Sequence, residues 1–475
     1  MTADSGQPRP AIRTALSTGI LVLLGLMTVA CSGDGTASPT NGPSDGATWY
    51  EDVAPLMNTY CLDCHLTGGV APVALDTFAV ASQWGPAIRR AVADRTMPPY
   101  YTVNDGSCGD FTSPWLSDDE ISVFESWAEG GYLEGDSAAG PDPYVPQSGL
   151  SGNVTTLGLD APYSPVISGS PDAPKDDYRC FLLSTGPGAD AFVTAFEVEP
   201  GNQSIVHHMI MYTLDPTTEA GQDADGQAIT NSAAIETLQA DNADRAGWPC
   251  YGTTGQGTIP NGLLGSWAPG SAAITMPEGT GVSWRGNDWL VAQIHYNLDN
   301  GAGTDQSQVH LALTDTVQTE GFFITPDGLL QTLYEGDPFI INPQEASTTF
   351  TWEARIQDLS DFLAEFYSDR FDTPPTAYNV YAVLPHMHDI GKSIGAVRFD
   401  DAAGEQECLS QTPQWDFNWQ HMYFFDEPVY FGAEHRVVVT CEYDSRSRVT
   451  PTFPGENSID EMCLYGIYFT VTPER

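Results

Sequence analysis

The run Cys61-Leu62-Asp63-Cys64-His65 is the first grouping in this 475-residue chain whose types and spacing could do chemistry. Two thiols at this spacing can form thioethers to the vinyl groups of a haem, and the adjacent imidazole is then held beneath the iron. A CxxC disulfide or half of a zinc site would look similar. A zinc site needs further ligands, and no other His precedes His207. The reading is therefore covalent haem c, with His65 as proximal ligand. The sixth ligand is then a Met or absent. Met57 lies one helical turn before Cys61, on the attachment side of the ring. Met97, in Arg95-Thr96-Met97-Pro98-Pro99, sits on a loop that two prolines stiffen. Its thioether would raise the iron's potential, which suits an electron carrier.

Five further histidines fall into three groups. They are Val206-His207-His208-Met209, Gln293-Ile294-His295-Tyr296 and Pro385-His386-Met387-His388-Asp389; Asp460-Glu461-Met462-Cys463 follows much later. On a strand, His386 and His388 share a face, because side chains two apart point the same way. Adjacent His207 and His208 would face opposite ways, so joint metal binding needs a bulge or a different ring nitrogen from each. Three imidazoles suit copper, and two imidazoles with a thioether suit a site that must hold Cu(I). Singly, each His is better read as a hydrogen-bonded packing residue. It is the set that carries weight.

In this order, the motifs resemble the copper type II ascorbate-dependent monooxygenases, the family of peptidylglycine α-hydroxylating and dopamine β-monooxygenases. That family has a His-His pair, a His in Q-x-H-Y, an H-x-H pair and a Met in D/E-E-M-C, and the likeness spans roughly residues 175–475. The resemblance implies two copper ions. His207, His208 and His295 would hold the one that transfers electrons; His386, His388 and Met462 would hold the one at which O2 reacts. It further implies hydroxylation of a C–H bond and a pair of jelly-roll-like β-sandwiches facing each other across a solvent cleft. Cys441 with Cys463, and Cys180 with Cys250, resemble family disulfides. Cys108 and Cys408 stay unassigned. Peptide-hydroxylating members carry an Arg two residues before H-x-H and an Asn two after the ligand Met; here those positions are Leu384 and Leu464. Without a charge-assisted partner for a carboxylate, a neutral or apolar small molecule is the better expectation.

The rest of the chain must position these groups. Its 17 Lys+Arg against 63 Asp+Glu give a net charge of −46, which disfavours nucleic acid and anionic lipid headgroups as partners. Arg9 and Arg13 precede an apolar run, Ile20 to Val29, ending in Thr28-Val29-Ala30-Cys31. This outlines an export signal too short to span a bilayer. Cys31 resembles the lipidated residue of a bacterial lipoprotein, with Thr28 where that pattern has Leu. Expected, then, is an exported protein of the periplasm or cell envelope, touching membrane only through a lipid anchor. Such a compartment lets disulfides persist.

The domain reading is signal 1–31, Gly/Ser/Pro-rich tether 32–47, a small all-α cytochrome c-like domain 48–133, linker 134–150, then two all-β sandwiches, 151–320 and 321–475. Ser117-Asp118-Asp119-Glu120 is a capping box opening a helix that Gly130-Gly131 stop. Strands are expected at Ala191–Val198, Ser204–Thr213, Asp288–Tyr296, Val380–Leu384, Arg436–Tyr443 and Leu464–Val471, and a short helix at Asp358–Tyr367. Trp415 to Gln420 reads as core or cleft lining, with core the better reading; His310, His421 and His435 are given no role. The electron donor would be ascorbate-like or a redox protein, relayed or replaced by the haem. Two alternatives remain: a copper–haem electron-transfer protein or reductase, which would need a Cys thiolate on copper, and a lipoprotein that stores copper.

Overall fold

The computed structural model describes residues 46–472, except 68–70, 100, 113–114, 146–149, 168–174, 223–225, 270, 272, 299–300, 367–369, 372 and 418. The expected export signal, Cys31 and most of the tether lie outside the described residues. Among the described residues no helix is long and apolar enough to cross a membrane.

The helical unit is built around Ala54–Tyr60, Phe78–Ala93 and Asp118–Glu129. At the last of these, Ser117 accepts from the Glu120 N–H while the Glu120 carboxylate accepts from the Ser117 N–H at 2.8 Å. Two amides that the first helical turn leaves without partners are so satisfied. Phe124 and Trp127 are buried there, with Trp127 5.7 Å from the Trp49 ring. Met57 is fully buried in the same core. A bridge between Thr48 and Leu133 joins the unit's two ends. The segment after it does not leave as a free linker. The Asp142 carbonyl accepts from Asn58, and the Tyr144 hydroxyl donates to Asp63 inside the CxxCH run.

The remainder is β. All six expected strands are present, at Ala191–Glu199, Val206–Leu214, Trp289–Asn297, Tyr378–His386, His435–Tyr443 and Leu464–Val471, and a helix runs over Ile356–Phe366. A five-stranded sheet, with Trp289–Asn297 at its centre between Asp176–Ser184 and Val206–Leu214, packs on one half of a nine-stranded sheet. A four-stranded sheet, Thr348–Arg355 to Glu405–Thr412, packs on the other half. Thr348–Arg355 alternates half-buried and exposed residues throughout, the period of a strand with one covered face. The boundary expected at residue 320 falls inside a strand. Thr319–Ile324 pairs in parallel with Thr280–Trp284 and antiparallel with Leu464–Val471, so one sheet runs through both sandwiches.

Cys108 pairs with Cys408 across 300 residues of sequence. Around it, Val103 N–H donates to the Gln411 carbonyl and Thr112 N–H to the Phe424 carbonyl, both at 2.8 Å. The loop between the second and third helices of the helical unit is thus stapled to the C-terminal sandwich. Closing so long a loop restricts the unfolded chain severely. Replacing Cys108 and Cys408 together by Ser is expected to cost about 2–4 kcal/mol, read as a lower denaturant midpoint for the C-terminal sandwich. An unchanged midpoint would mean that backbone pairing alone sets its stability.

Candidate metal centres

Val206–Leu214 and Trp289–Asn297 are neighbours, and their pairing slips between His295 opposite His208 and Tyr296 opposite Val206. His207 is the extra residue. This bulge turns two successive imidazoles to one side, the first of the two solutions open to a His-His pair. His207 Nδ1 lies 3.4 Å from His208 Nδ1, which lies 3.4 Å from His295 Nδ1. Among the described residues, these three form the one group of His, Cys, Asp or Glu whose ligand atoms all lie within 4.8 Å of one another. His295 Nε2 meets Asp176 Oδ1 at 2.9 Å, and His207 has a backbone hydrogen bond with Phe417. Such contacts fix the rings, and at His295 the bond to Asp176 leaves Nδ1 free. Tyr178 stacks flat on His295 at 4.1 Å. Burial, then neighbouring imidazoles, hold His208 and His295 well below the usual histidine range, and bring His207 to about 4. All three are neutral near pH 7, the form that binds metal.

His386 ends its strand and His388 follows two residues on, the rings 5.0 Å apart and perpendicular. His386 Nδ1 meets Gln420 Oε1 at 2.7 Å, and His388 Nδ1 meets the Asp460 carbonyl at 3.3 Å. Here the free ligand atom is Nε2 on both rings. Burial lowers His386 to about 4 and takes His388 well below its usual value. Glu461, fully buried, ties the backbone of Met462 to the segment that carries His388. Its carboxylate accepts from the backbone N–H of His388 at 3.0 Å, Ile390 at 2.8 Å and Met462 at 3.3 Å. Burial outweighs these three donors and raises Glu461 to about 8. The Cys441–Cys463 disulfide adjoins Met462, and Cys180–Cys250 closes beside the first centre. With Cys463 so bonded, no thiolate stands beside Met462 for a blue-copper site.

The stretch from Trp415 to Gln420, expected as core or cleft lining with core favoured, packs against both centres. Trp415 Nε1 donates to the His388 carbonyl at 3.2 Å, and Gln420 orients His386. Phe417 stacks on His207 at 4.4 Å and meets His388 edge-on at 5.8 Å. Sequence reasoning missed Asp176, Gln420 and Glu461 as supports. The acid beside Met462 was visible in the motif, whereas Asp176 and Gln420 carried no signal. His310 bonds Thr156, and His421 packs on Trp419; neither stands among the ligands.

In the helical unit, Cys61 and Cys64 are not bonded to each other. Burial, then the charge of Cys64, pushes the Cys61 thiol up to about 12; burial, then Asp63, brings Cys64 to about 11. Neither is a poised redox thiolate. His65 Nδ1 lies 2.7 Å from the Val73 carbonyl, leaving Nε2 free. Cys61, Cys64 and His65 do not converge as a ready zinc cluster, while a thioether pair beside an oriented imidazole fits haem. Met97 is 41% exposed.

A β-sandwich pair carries a three-imidazole group and a His-x-His pair, and Glu461 ties the backbone of Met462 to that pair; imidazoles in such groups are donors that suit copper. Residues 366–474 match the family of the copper type II ascorbate-dependent monooxygenase C-terminal domain. The chain is 23% identical over 307 residues to DBH-like monooxygenase protein 2 of Mus musculus, covering 62% of this chain and 44% of that protein. It is 22% identical over 335 residues to human dopamine beta-hydroxylase (69% and 48%) and 22% over 286 to Caenorhabditis briggsae tyramine beta-hydroxylase (57% and 41%). The chain thus spans less than half the length of these relatives. The matched family and each of these relatives are monooxygenases or hydroxylases by name.

Replacing Glu461 by Ala strands three buried amides, each at about 1–3 kcal/mol. Metal analysis should then find about one copper fewer per chain than in the parent, with the His207/His208/His295 centre still loaded. Full copper content together with an unshifted melting temperature would show that Glu461 does not hold the second centre.

Proposed function

We propose that this chain is an exported copper-dependent monooxygenase that hydroxylates a C–H bond of a small, neutral, non-peptide molecule with O2, drawing electrons through its own haem c. The grouping of three imidazoles with ligand atoms within 4.8 Å of one another, with His386 and His388 oriented nearby for Nε2 binding, carries the reading. His207, His208 and His295 would hold one copper, and His386, His388 and Met462 the other. Cys61, Cys64 and His65, with Met97 as sixth ligand, would hold the haem. Copper supplies the oxygen chemistry and haem the electron relay.

What the protein's own residues contribute follows from their placement. Asp176 and the Phe417 backbone fix rings at the first centre, and Gln420 does so for His386 at the second. Phe417 and Trp415 cover the ligands with apolar surface and exclude water. Leu464 pairs directly with His386, and Leu384 lies two residues before it on the same sheet face. An apolar wall at those positions favours a substrate without a carboxylate. Supporting haem supply is the docking of the helical unit's loop on the C-terminal sandwich. Phe111 and Trp115 lie 5.8 and 6.3 Å from Tyr423, whose neighbours His421 and Trp419 flank Gln420. The lipid anchor at Cys31 and an ascorbate-like or protein donor complete the proposal.

Purified from an exporting host, the chain should carry two coppers and one haem. In stopped-flow mixing with O2, reduced haem should be reoxidised at least about tenfold faster in copper-loaded protein than in copper-free protein. Equal rates would overturn haem supply, and copper-loaded protein lacking any substrate-coupled O2 uptake across neutral candidates would overturn the oxygenase reading.

A further inference from the structure

The C-terminal sandwich is not filled by its own side chains. Between its two sheets lies a cavity of about 430 Å³, walled by residues that include Val380, Leu409, Phe425, Val437 and Ile467. Packed protein interiors tolerate few voids larger than a water molecule, whereas pockets for small molecules occupy about 300–1,000 Å³. Exposed Thr325, Arg355 and Asp358 also line it, so the cavity reaches the surface there.

The cavity is separate from the copper centres. Along the paired strands, Val383 opposite Ile467 and Tyr465 opposite Pro385 face the cavity, while His386 opposite Leu464 faces the other side of the sheet. Successive residues on a strand point to opposite faces, so a molecule here lies behind His386 rather than beside it.

The polar groups on the inner wall are engaged by the protein itself. The Tyr212 hydroxyl donates to the Gly252 carbonyl at 3.1 Å, the Tyr378 hydroxyl to the Pro375 carbonyl at 2.9 Å, and Trp352 Nε1 to the Cys463 carbonyl at 2.9 Å. Tyr465 and Ser410 share a hydrogen bond of 2.6 Å. Asn261 Nδ2 donates to Asp288 at 2.8 Å, and Asn261 Oδ1 is shut off even from water, so no occupant meets it. At the mouth, Arg355 pairs with Asp401 at 3.1 Å, and Asp358 accepts from the Arg355 N–H at 2.8 Å. An acceptor carried into this space would leave its water behind and find no free donor, which is costly. Apolar surface would gain by the same transfer.

Volume sets the scale. An apolar cavity of about 150 Å³ stays dry and takes up benzene. This one is roughly three times as large, enough for two fused six-membered rings.

We propose that this cavity is a small-molecule site for a neutral hydrocarbon of about ten carbons, a molecule with neither hydrogen-bond donor nor acceptor. The site goes beyond the oxygenase reading and does not depend on it.

Equilibrium dialysis of the full-length, copper- and haem-loaded chain against tetralin, without reductant, tests it. One tetralin should bind per chain, at least about tenfold tighter than 1-tetralone, which has the same two rings and one carbonyl. Copper-depleted protein should bind tetralin equally well. Val437→Trp, which fills the cavity, should abolish binding with copper content and circular dichroism unchanged. Absence of saturable binding to the parent chain would overturn the proposal, and so would 1-tetralone binding as tightly as tetralin. Binding lost together with copper would put tetralin at the metal centres and decide against the cavity, as would undiminished binding by folded Val437→Trp protein. Should that variant fail to fold, Ala354→Leu, a smaller intrusion into the same space, takes its place. Binding weakened by about fivefold or more then upholds the site, and unchanged binding overturns it.

Discussion

Two carboxylates taken out of water hold the functional half of this molecule together. Burying a carboxylate is costly unless donors replace its hydration. Glu461 finds the backbone N–H groups of His388, Ile390 and Met462, so two segments more than seventy residues apart must converge on it. Asp176 finds His295 Nε2, Asn297 Nδ2 and, from the other sandwich, the Ser458 hydroxyl at 2.6 Å. The turn that presents Met462 therefore also touches the support of the first centre. Neither centre can relax without leaving a buried polar group unpartnered in the other's surroundings.

This explains why the candidate ligands were legible in the sequence and the groups that orient them were not. A metal site demands a few residue types at spacings set by strand and turn geometry, and His386-Met387-His388 announces itself. Orientation can come from any acceptor that reaches a ring nitrogen. Here the acceptors are a carboxylate 119 positions from its histidine, an amide 34 positions away and two backbone carbonyls. Spacing does not constrain such partners. The bulge at His207 lies between these extremes: adjacency of two ligands required some irregularity, and only the strand pairing chose which.

The fold was legible for a related reason. Short Val/Ile/Phe/Tyr runs between Gly, Pro and Asn mark strands, and the capping box at Ser117 marks a helix start, because both signals are local. How the sandwiches join is not local. Thr319–Ile324 looks like any other strand, yet it is shared by the two halves. The expected boundary at 320 assumed that a change of sandwich needs a loop, whereas a sheet can simply continue. Cys108 and Cys408 stayed unassigned for the same reason, since their partnership depends on where a distant helical unit docks.

That docking bears on why core was favoured over cleft lining for Trp415 to Gln420. Aromatic residues in a β protein are usually interior, and by area these are largely covered. What covers them is decisive. Phe417 lies against candidate ligands of both centres, Gln420 holds a candidate ligand of one, and Tyr423, a few residues on, receives Phe111 and Trp115 from the loop between the second and third helices of the helical unit. A single stretch of chain thus touches all three parts of the protein. Its aromatics form a dry boundary between elements, where a shift of one ring would be felt by two histidines at once. Packing of this kind serves position as much as stability, and only the tertiary structure separates the two roles.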